Sequence, residues 1–118
     1  MLNKIKKIEK PWGYEILYAH TDKYAGKILF VKKGSRLSYQ YHERKDETMY
    51  LFSGKVKIIT EIDGEKREII LTKEESIHFK PYTKHRVEAI EDSHILEVST
   101  PELDDVVRIE DDFGRVNK

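Results

Sequence analysis

Lys55-Val56-Lys57-Ile58-Ile59-Thr60-Glu61-Ile62 runs directly into Asp63-Gly64, and a second apolar-rich run, Arg67 to Leu71, follows at once. Both positions of an Asp-Gly pair tolerate positive φ, which is what a tight two-residue hairpin needs. The stretch therefore predicts two antiparallel neighbours. Working outward, the same pattern recurs: short runs of β-branched and aromatic residues broken by turn residues. Upstream lie Tyr14 to Tyr18, Lys27 to Val31 (stopped by Gly34), an alternating Leu37 to His42, and Glu47 to Phe52, which ends at Ser53-Gly54. Downstream lie Ser76 to Phe79, His85 to Ile90 and His94 to Ser99. Helical character is confined to short stretches such as Thr72 to Glu75. A doubly wound α/β fold needs helical patterns of about 10–15 residues between strands, and none is present. The expected class is all-β, an antiparallel sandwich or barrel. In the tail, Val106-Val107-Arg108-Ile109 is set among acids, as a last edge strand or a lid over the barrel mouth.

The chain has 118 residues, the size of one domain. Twenty-two basic and twenty-two acidic residues cancel, which argues against nucleic acid or an anionic membrane as the main partner. With 38% hydrophobic residues there is enough apolar material for a core, so disorder is not expected. There is no cysteine, which excludes a disulfide scaffold, a thiolate zinc site and a thiol nucleophile. No apolar run reaches membrane-spanning length, and the first residues carry charge where a secretory leader needs an apolar centre. The expected location is the cytoplasm.

Gln40 and His42 sit two apart in a strand-like run and so share a face. Glu47 breaks that parity, but a turn at Glu43-Arg44-Lys45-Asp46 can restore it. His85 opens a later strand after Pro81-Tyr82-Thr83-Lys84. One amide oxygen, two imidazoles and one carboxylate can then converge. Such N and O donors suit one divalent ion: Zn, Mn, Fe, Co or Ni.

The spacing Gly34-x5-Gln40-x-His42-x4-Glu47-x6-Gly54, followed by Pro81-x3-His85, resembles the cupin superfamily, whose fold is a double-stranded β-helix or jelly-roll barrel. Arg36-Leu37-Ser38-Tyr39-Gln40-Tyr41-His42 is similar to the C-terminal cupin domain of type II mannose-6-phosphate isomerases, where glutamine replaces the first metal histidine. Lys10-Pro11-Trp12-Gly13-Tyr14-Glu15 resembles the opening motif of that family. Asp105-Val106-Val107-Arg108-Ile109-Glu110-Asp111-Asp112-Phe113-Gly114-Arg115 resembles its closing motif. The resemblance implies one cupin domain over residues 1–118, with a core of about residues 10–115. It also implies a metal held by Gln40, His42, Glu47 and His85. The chain departs from the family at Glu43 to Met49, where further histidines, an arginine and Glu-His-Trp are usual. It lacks the glycine expected within Lys80-Pro81-Tyr82-Thr83-Lys84, and Ser99 to Leu103 is shorter than the family's equivalent.

The implied activity is a metal-dependent sugar-phosphate isomerase, by default mannose-6-phosphate to fructose-6-phosphate. Such chemistry needs a base that reaches a carbon-bound proton. Ile95, Glu97 and Ser99 share one strand face, so Glu97 is the candidate base. Arg115, in the closing motif, is assigned with it as catalytic. Arg36, Lys27 and Arg86 are the candidates for holding phosphate, since guanidinium forks suit it well; Lys84 and Arg108 are also available. Trp12 is expected to anchor packing. His20, His78 and His94 are expected to be structural, and Tyr39, Tyr41 and Tyr50 to lie on outer faces. Two other readings stand beside the isomerase: a non-catalytic sugar-phosphate or nucleotide-sugar binding cupin, and another metal-cupin activity such as an oxygenase. Exposed strand edges must be covered, so a homodimer is expected, with Leu2 to Ile8 as an exchanged edge strand.

Overall fold

The computed structural model of the chain describes residues 1–116. Eleven strands follow in order: β1 (Lys6–Lys10), β2 (Gly13–His20), β3 (Ala25–Val31), β4 (Tyr39–Tyr41), β5 (Glu47–Ser53), β6 (Lys55–Ile62), β7 (Glu65–Thr72), β8 (Ser76–Phe79), β9 (His85–Ala89), β10 (Ser93–Ser99) and β11 (Val107–Glu110). They form a six-stranded sheet, β1-β2-β3-β10-β5-β8 (sheet A), and a five-stranded sheet, β11-β4-β9-β6-β7 (sheet B). Every pairing is antiparallel. The all-β expectation holds, and among the described residues no helix is long and apolar enough to cross a membrane.

The Asp63-Gly64 hairpin forms as its chemistry requires. Asp63 and Gly64 adopt φ of 52° and 80°, and β6 and β7 pair in unbroken register from Lys55↔Thr72 to Ile62↔Glu65. Thr72 to Glu75 is a turn instead of a helical piece: Glu74 takes φ of 73° and the Glu75 carboxylate accepts from the Thr72 amide and hydroxyl. Leu2 to Ile8 overlaps β1, which pairs with β2 of its own chain, Lys6↔Leu17 to Lys10↔Gly13. The tail meets both expectations, since β11 is the edge of sheet B and Leu103, Asp104 and Val106 wall the cavity described below.

Strand alternation places the core between the sheets. Leu51, Met49, Leu29, Val31 and Ile95 of sheet A meet Val56, Ile58, Val87, Ala89 and Leu71 of sheet B, with Trp12 and Leu37 closing the periphery. Each large side chain fully removed from water contributes about 1.5–3 kcal/mol. The inward residues of several strands change character along their length. β10 runs from Ile95 to Glu97, β5 from Leu51 back to Glu47, and β3 from Val31 back to Lys27. One end of the sandwich is therefore apolar and closed, while the other is polar and holds the site.

Candidate functional site

Three side chains meet at the polar end. His42 follows β4, Glu47 opens β5 and His85 opens β9; their donor atoms all lie within 4.8 Å of one another. His42 Nε2 is 2.7 Å and His85 Nε2 is 3.8 Å from Glu47 Oε1. The Glu43–Asp46 turn restores the parity of Glu47, so its side chain joins those of His42 and His85.

Both rings are oriented from behind. His42 Nδ1 donates to the Asp105 carbonyl, and His85 Nδ1 donates to the Thr83 carbonyl at 2.8 Å. Each of these bonds turns Nε2 toward the carboxylate. His85 is further fixed by stacking on Phe79, with centroids 4.0 Å apart and planes 9° from parallel. Glu47 Oε1, Glu47 Oε2 and His85 Nε2 are buried and make no hydrogen bond. Buried polar atoms are ordinarily satisfied, so three convergent acceptors without donors are the signature of a cation site. The donor set fits a divalent first-row ion. Burial pushes the Glu47 carboxyl up, but the His42 ring, Lys45 and His85 outweigh it and hold it down to about 2. Burial pushes His85 down, favouring the neutral, ligating form.

Gln40 stands beside this trio. Its Nε2 is 3.5 Å from His42 Nε2, while its Oε1 accepts from the Ser38 hydroxyl at 2.6 Å. A hydroxyl accepts as readily as it donates, so a half-turn of the amide would keep the Ser38 contact and aim oxygen at the histidines.

Glu97 faces inward and is almost fully enclosed. Lys45 is equally enclosed, with Nζ 3.1 Å from Glu97 Oε2 and 3.7 Å from Glu47 Oε1. Burial and then the Glu47 charge push the Glu97 carboxyl up, against the pull of Lys45 and Lys27. Lys45 is held by an unusual turn: the Asp105 carboxylate accepts from the amides of Glu43, Arg44 and Lys45 at 3.0, 2.6 and 2.8 Å. Beyond Glu97, Lys27 lies 3.4 Å and Lys10 lies 3.7 Å from Glu15.

Several of these groups line a cavity of about 500 Å³. Gln40, His42, Lys45 and Glu97 are in its wall, with Lys6, Lys10, Lys27 and Arg108 as further cations. Of the candidates for holding phosphate, Lys27 is in this wall. Arg36, Arg86 and Arg115 are not. Arg86 follows His85 in β9 and so faces the opposite side of the sheet, where it meets Leu37 O at 2.8 Å and Asp112 at 3.5 Å. Arg36 forms a bidentate pair with Asp112 at 2.6 and 2.9 Å, and Arg115 does the same with Asp111 at 2.7 and 3.1 Å. All three are occupied by the acids of the closing segment. Arg108 pairs with Gln40 across β11 and β4 and therefore points inward, with a buried Nε that makes no hydrogen bond. Strand parity against Gln40 is the signal that finds it. Lys45 had no such signal, since a turn residue has no fixed face.

The remaining expectations are structural. His78 contacts Asp46, His94 contacts Ser53 and His20 contacts the Pro101 carbonyl. Trp12 is buried in the core. Tyr39 lies outward, covered by Lys66 at 4.8 Å from its ring.

Comparison with known proteins agrees with this geometry. The family described as mannose-6-phosphate isomerase C-terminal matches residues 1–111. The chain belongs to that family. It is 30% identical over 115 residues to a mannose-1-phosphate guanylyltransferase of Salmonella montevideo, covering 93% of this chain but 24% of the relative. The chain thus spans about a quarter of the length of that curated relative. Among solved structures, KdgF from Halomonas sp. superimposes with a TM-score of 0.69 at 23% identity, covering 84% of this chain and 88% of that one. An oxalate decarboxylase superimposes with a TM-score of 0.76 at 21% identity, covering 88% and 30%. At these identities the structural likeness establishes the fold: a single small cupin domain.

Proposed function

We propose that this cupin is a metal-dependent sugar-phosphate isomerase, with mannose-6-phosphate and fructose-6-phosphate as the default pair. The observation that carries the reading is Glu97, a buried carboxylate that shares a cavity wall with His42 and is joined through Lys45 to Glu47. A bound divalent cation would polarise the carbonyl and hydroxyl oxygens of the sugar. His42, Glu47 and His85 would hold it, with Gln40 as a fourth donor after its amide turns. Glu97 takes the proton from the hydroxyl-bearing carbon, giving an enediol, and returns it to the adjacent carbon, while the hydroxyl proton passes to the former carbonyl oxygen. Its raised pKa makes it the stronger base once ionised. Lys45 offsets the repulsion between Glu97 and Glu47 and fixes the Glu97 oxygen. Lys27 and Arg108 receive the phosphate, a dianion that matches the surplus of cations on the cavity wall. The direct test is incubation of metal-loaded protein with mannose-6-phosphate. Fructose-6-phosphate should accumulate, and Glu97→Gln should bind metal normally yet give no product. No turnover of any common hexose or pentose phosphate across several metals would reject the reading.

The second reading is a non-catalytic module that binds a sugar phosphate or nucleotide sugar. It is favoured by the guanylyltransferase name of the curated relatives and by the chain's matching only about a quarter of their length. Saturable binding without product, with affinity unchanged in Glu97→Gln, would decide for it.

A further inference from the structure

Asp105 holds two parts of the site from one position. Its backbone carbonyl accepts from His42 Nδ1, and its carboxylate accepts from the amides of Glu43, Arg44 and Lys45. The first contact fixes a ring of the candidate metal trio. The second fixes the turn that brings Lys45 Nζ within 3.1 Å of Glu97. Apart from those three bonds, no backbone group of residues 43–45 is hydrogen-bonded among the described residues. The far end of the closing segment is tied to the same turn. The Thr100 amide donates to the Asp46 carbonyl and the Asp46 amide donates to the Thr100 hydroxyl, each at 3.0 Å. Between these ties, Leu103 and Asp104 line both the cavity of about 500 Å³ and a second one of about 390 Å³. With open space against it twice over, the segment is placed by its hydrogen bonds and not by a packed core.

We propose that Asp105 is a positioning residue, through which a divalent ion at His42 tightens the placement of Lys45 against Glu97. This rests on the metal reading of the trio and is independent of the isomerase reading. A carbonyl oxygen only accepts, so the His42 contact requires a hydrogen on Nδ1. An imidazole whose Nε2 serves a cation is polarised, and its Nδ1–H becomes the stronger donor. The Asp105 carbonyl is then held more firmly, and the carboxylate of the same residue is held with it. Three successive N–H groups aimed at one carboxylate form a charge-assisted nest that loosens as a unit when the acceptor moves. A direct route through Glu47 has the opposite sign, since an ion that takes up the Glu47 charge weakens its pull on Lys45. That route is a single contact of 3.7 Å, against three bonds of 3.0 Å or shorter, so the clasp prevails. The linkage is reciprocal: the clasp raises ion affinity by the factor by which the ion tightens the clasp.

The test is amide hydrogen exchange at residues 43–45, by NMR, together with pulse acetylation of Lys45, by mass spectrometry. Both are read on the full chain with and without a saturating ion, trying Zn²⁺, Mn²⁺, Co²⁺ and Ni²⁺ in turn, with binding measured separately by calorimetry. In the wild type the bound ion should slow both rates by about tenfold, beyond any change at the core amides of Ile58 and Val87. Asp105→Asn keeps the carbonyl for His42 and removes the charge that gathers the three amides. It should still bind the ion, but the ion should slow neither rate by more than about twofold. If Asp105→Asn fails to fold, Asp105→Ser is read by the same criterion. A wild type that binds an ion with no added protection at residues 43–45 and Lys45 overturns the proposal. So does a folded variant in which both rates rise but the ion slows them as much as in the wild type, because Asp105 would then be structural only. A wild type that binds none of the four ions overturns it together with the metal reading.

Discussion

Lys45 Nζ lies 3.1 Å from Glu97 Oε2, with both side chains almost completely shut off from solvent. The same ammonium is 3.7 Å from Glu47, so one buried cation serves two buried carboxylates. Its loss leaves like charges facing each other in a poor dielectric. Lys45→Met should destabilise the protein by about 3–5 kcal/mol. Neutralising Glu97 in the same chain should recover part of that loss. Urea unfolding of the two single variants and the double variant measures this; strict additivity would show that the pair is not coupled.

Divalent metal should stabilise the wild type, by about 4 kcal/mol at a thousandfold excess over the dissociation constant. His42→Ala and His85→Ala should abolish the effect, and metal analysis should show the ion gone. Gln40→Ala separates a three-donor from a four-donor site. If the amide turns to ligate, affinity falls; if it stays with Ser38, affinity is unchanged.

Asp105 ties the closing segment to the Lys45 turn through three backbone amides. Asp105→Ala should cost about 2–4 kcal/mol, since hydrogen bonds to a charged acceptor are among the stronger ones. Hydrogen exchange should accelerate at residues 43–45. The carbonyl that orients His42 remains in this variant, so metal affinity should fall less than in His42→Ala.

Acid should unfold the protein through named groups. Glu47 and Asp111 are each held down to about 2, the first despite burial, the second chiefly by its hydrogen bonds from Arg115. Their stabilisation is complete above the ordinary carboxyl values of 4.5 and 3.8 and is lost as pH falls toward 2. His85, pushed down by burial, adds a loss of the same sign below its ordinary 6.5. Glu97 acts oppositely: its raised pKa makes ionisation costly to the folded state as pH climbs above 4.5. Denaturant midpoints followed against pH should show Glu97→Gln gaining on the wild type above that value. Parallel curves would mean that Glu97 is not perturbed.

The strand runs around Asp63-Gly64 were legible because alternation and turn chemistry are local properties. Each strand named from sequence appears with ends moved by a residue or two, except the first, which runs Lys6–Lys10 where Leu2 to Ile8 was expected. The convergence of His42 and Glu47, two of the three side chains that could hold a metal, was legible for a related reason: Gln40 and His42 share parity, and only one turn separates them from Glu47. Arg36, Arg86 and Arg115 were misplaced because matching a motif says nothing about which side of a sheet a residue faces. Once paired with Asp111, Asp112 and Glu110, they brace the closing segment.

The sequence by itself determined the alternation that makes two sheets and the absence of thiols that would restrict any metal to nitrogen and oxygen donors. Tertiary structure alone decided which cations share the cavity. Lys45 comes from a turn and Arg108 from the last strand, 63 positions apart. Only the Asp105 clasp and the β4–β11 pairing bring them to one wall. The fold also decided that Glu15, Lys27, Glu47 and Glu97 point inward, where Lys27 pairs with Glu15 and Lys45 pairs with the other two.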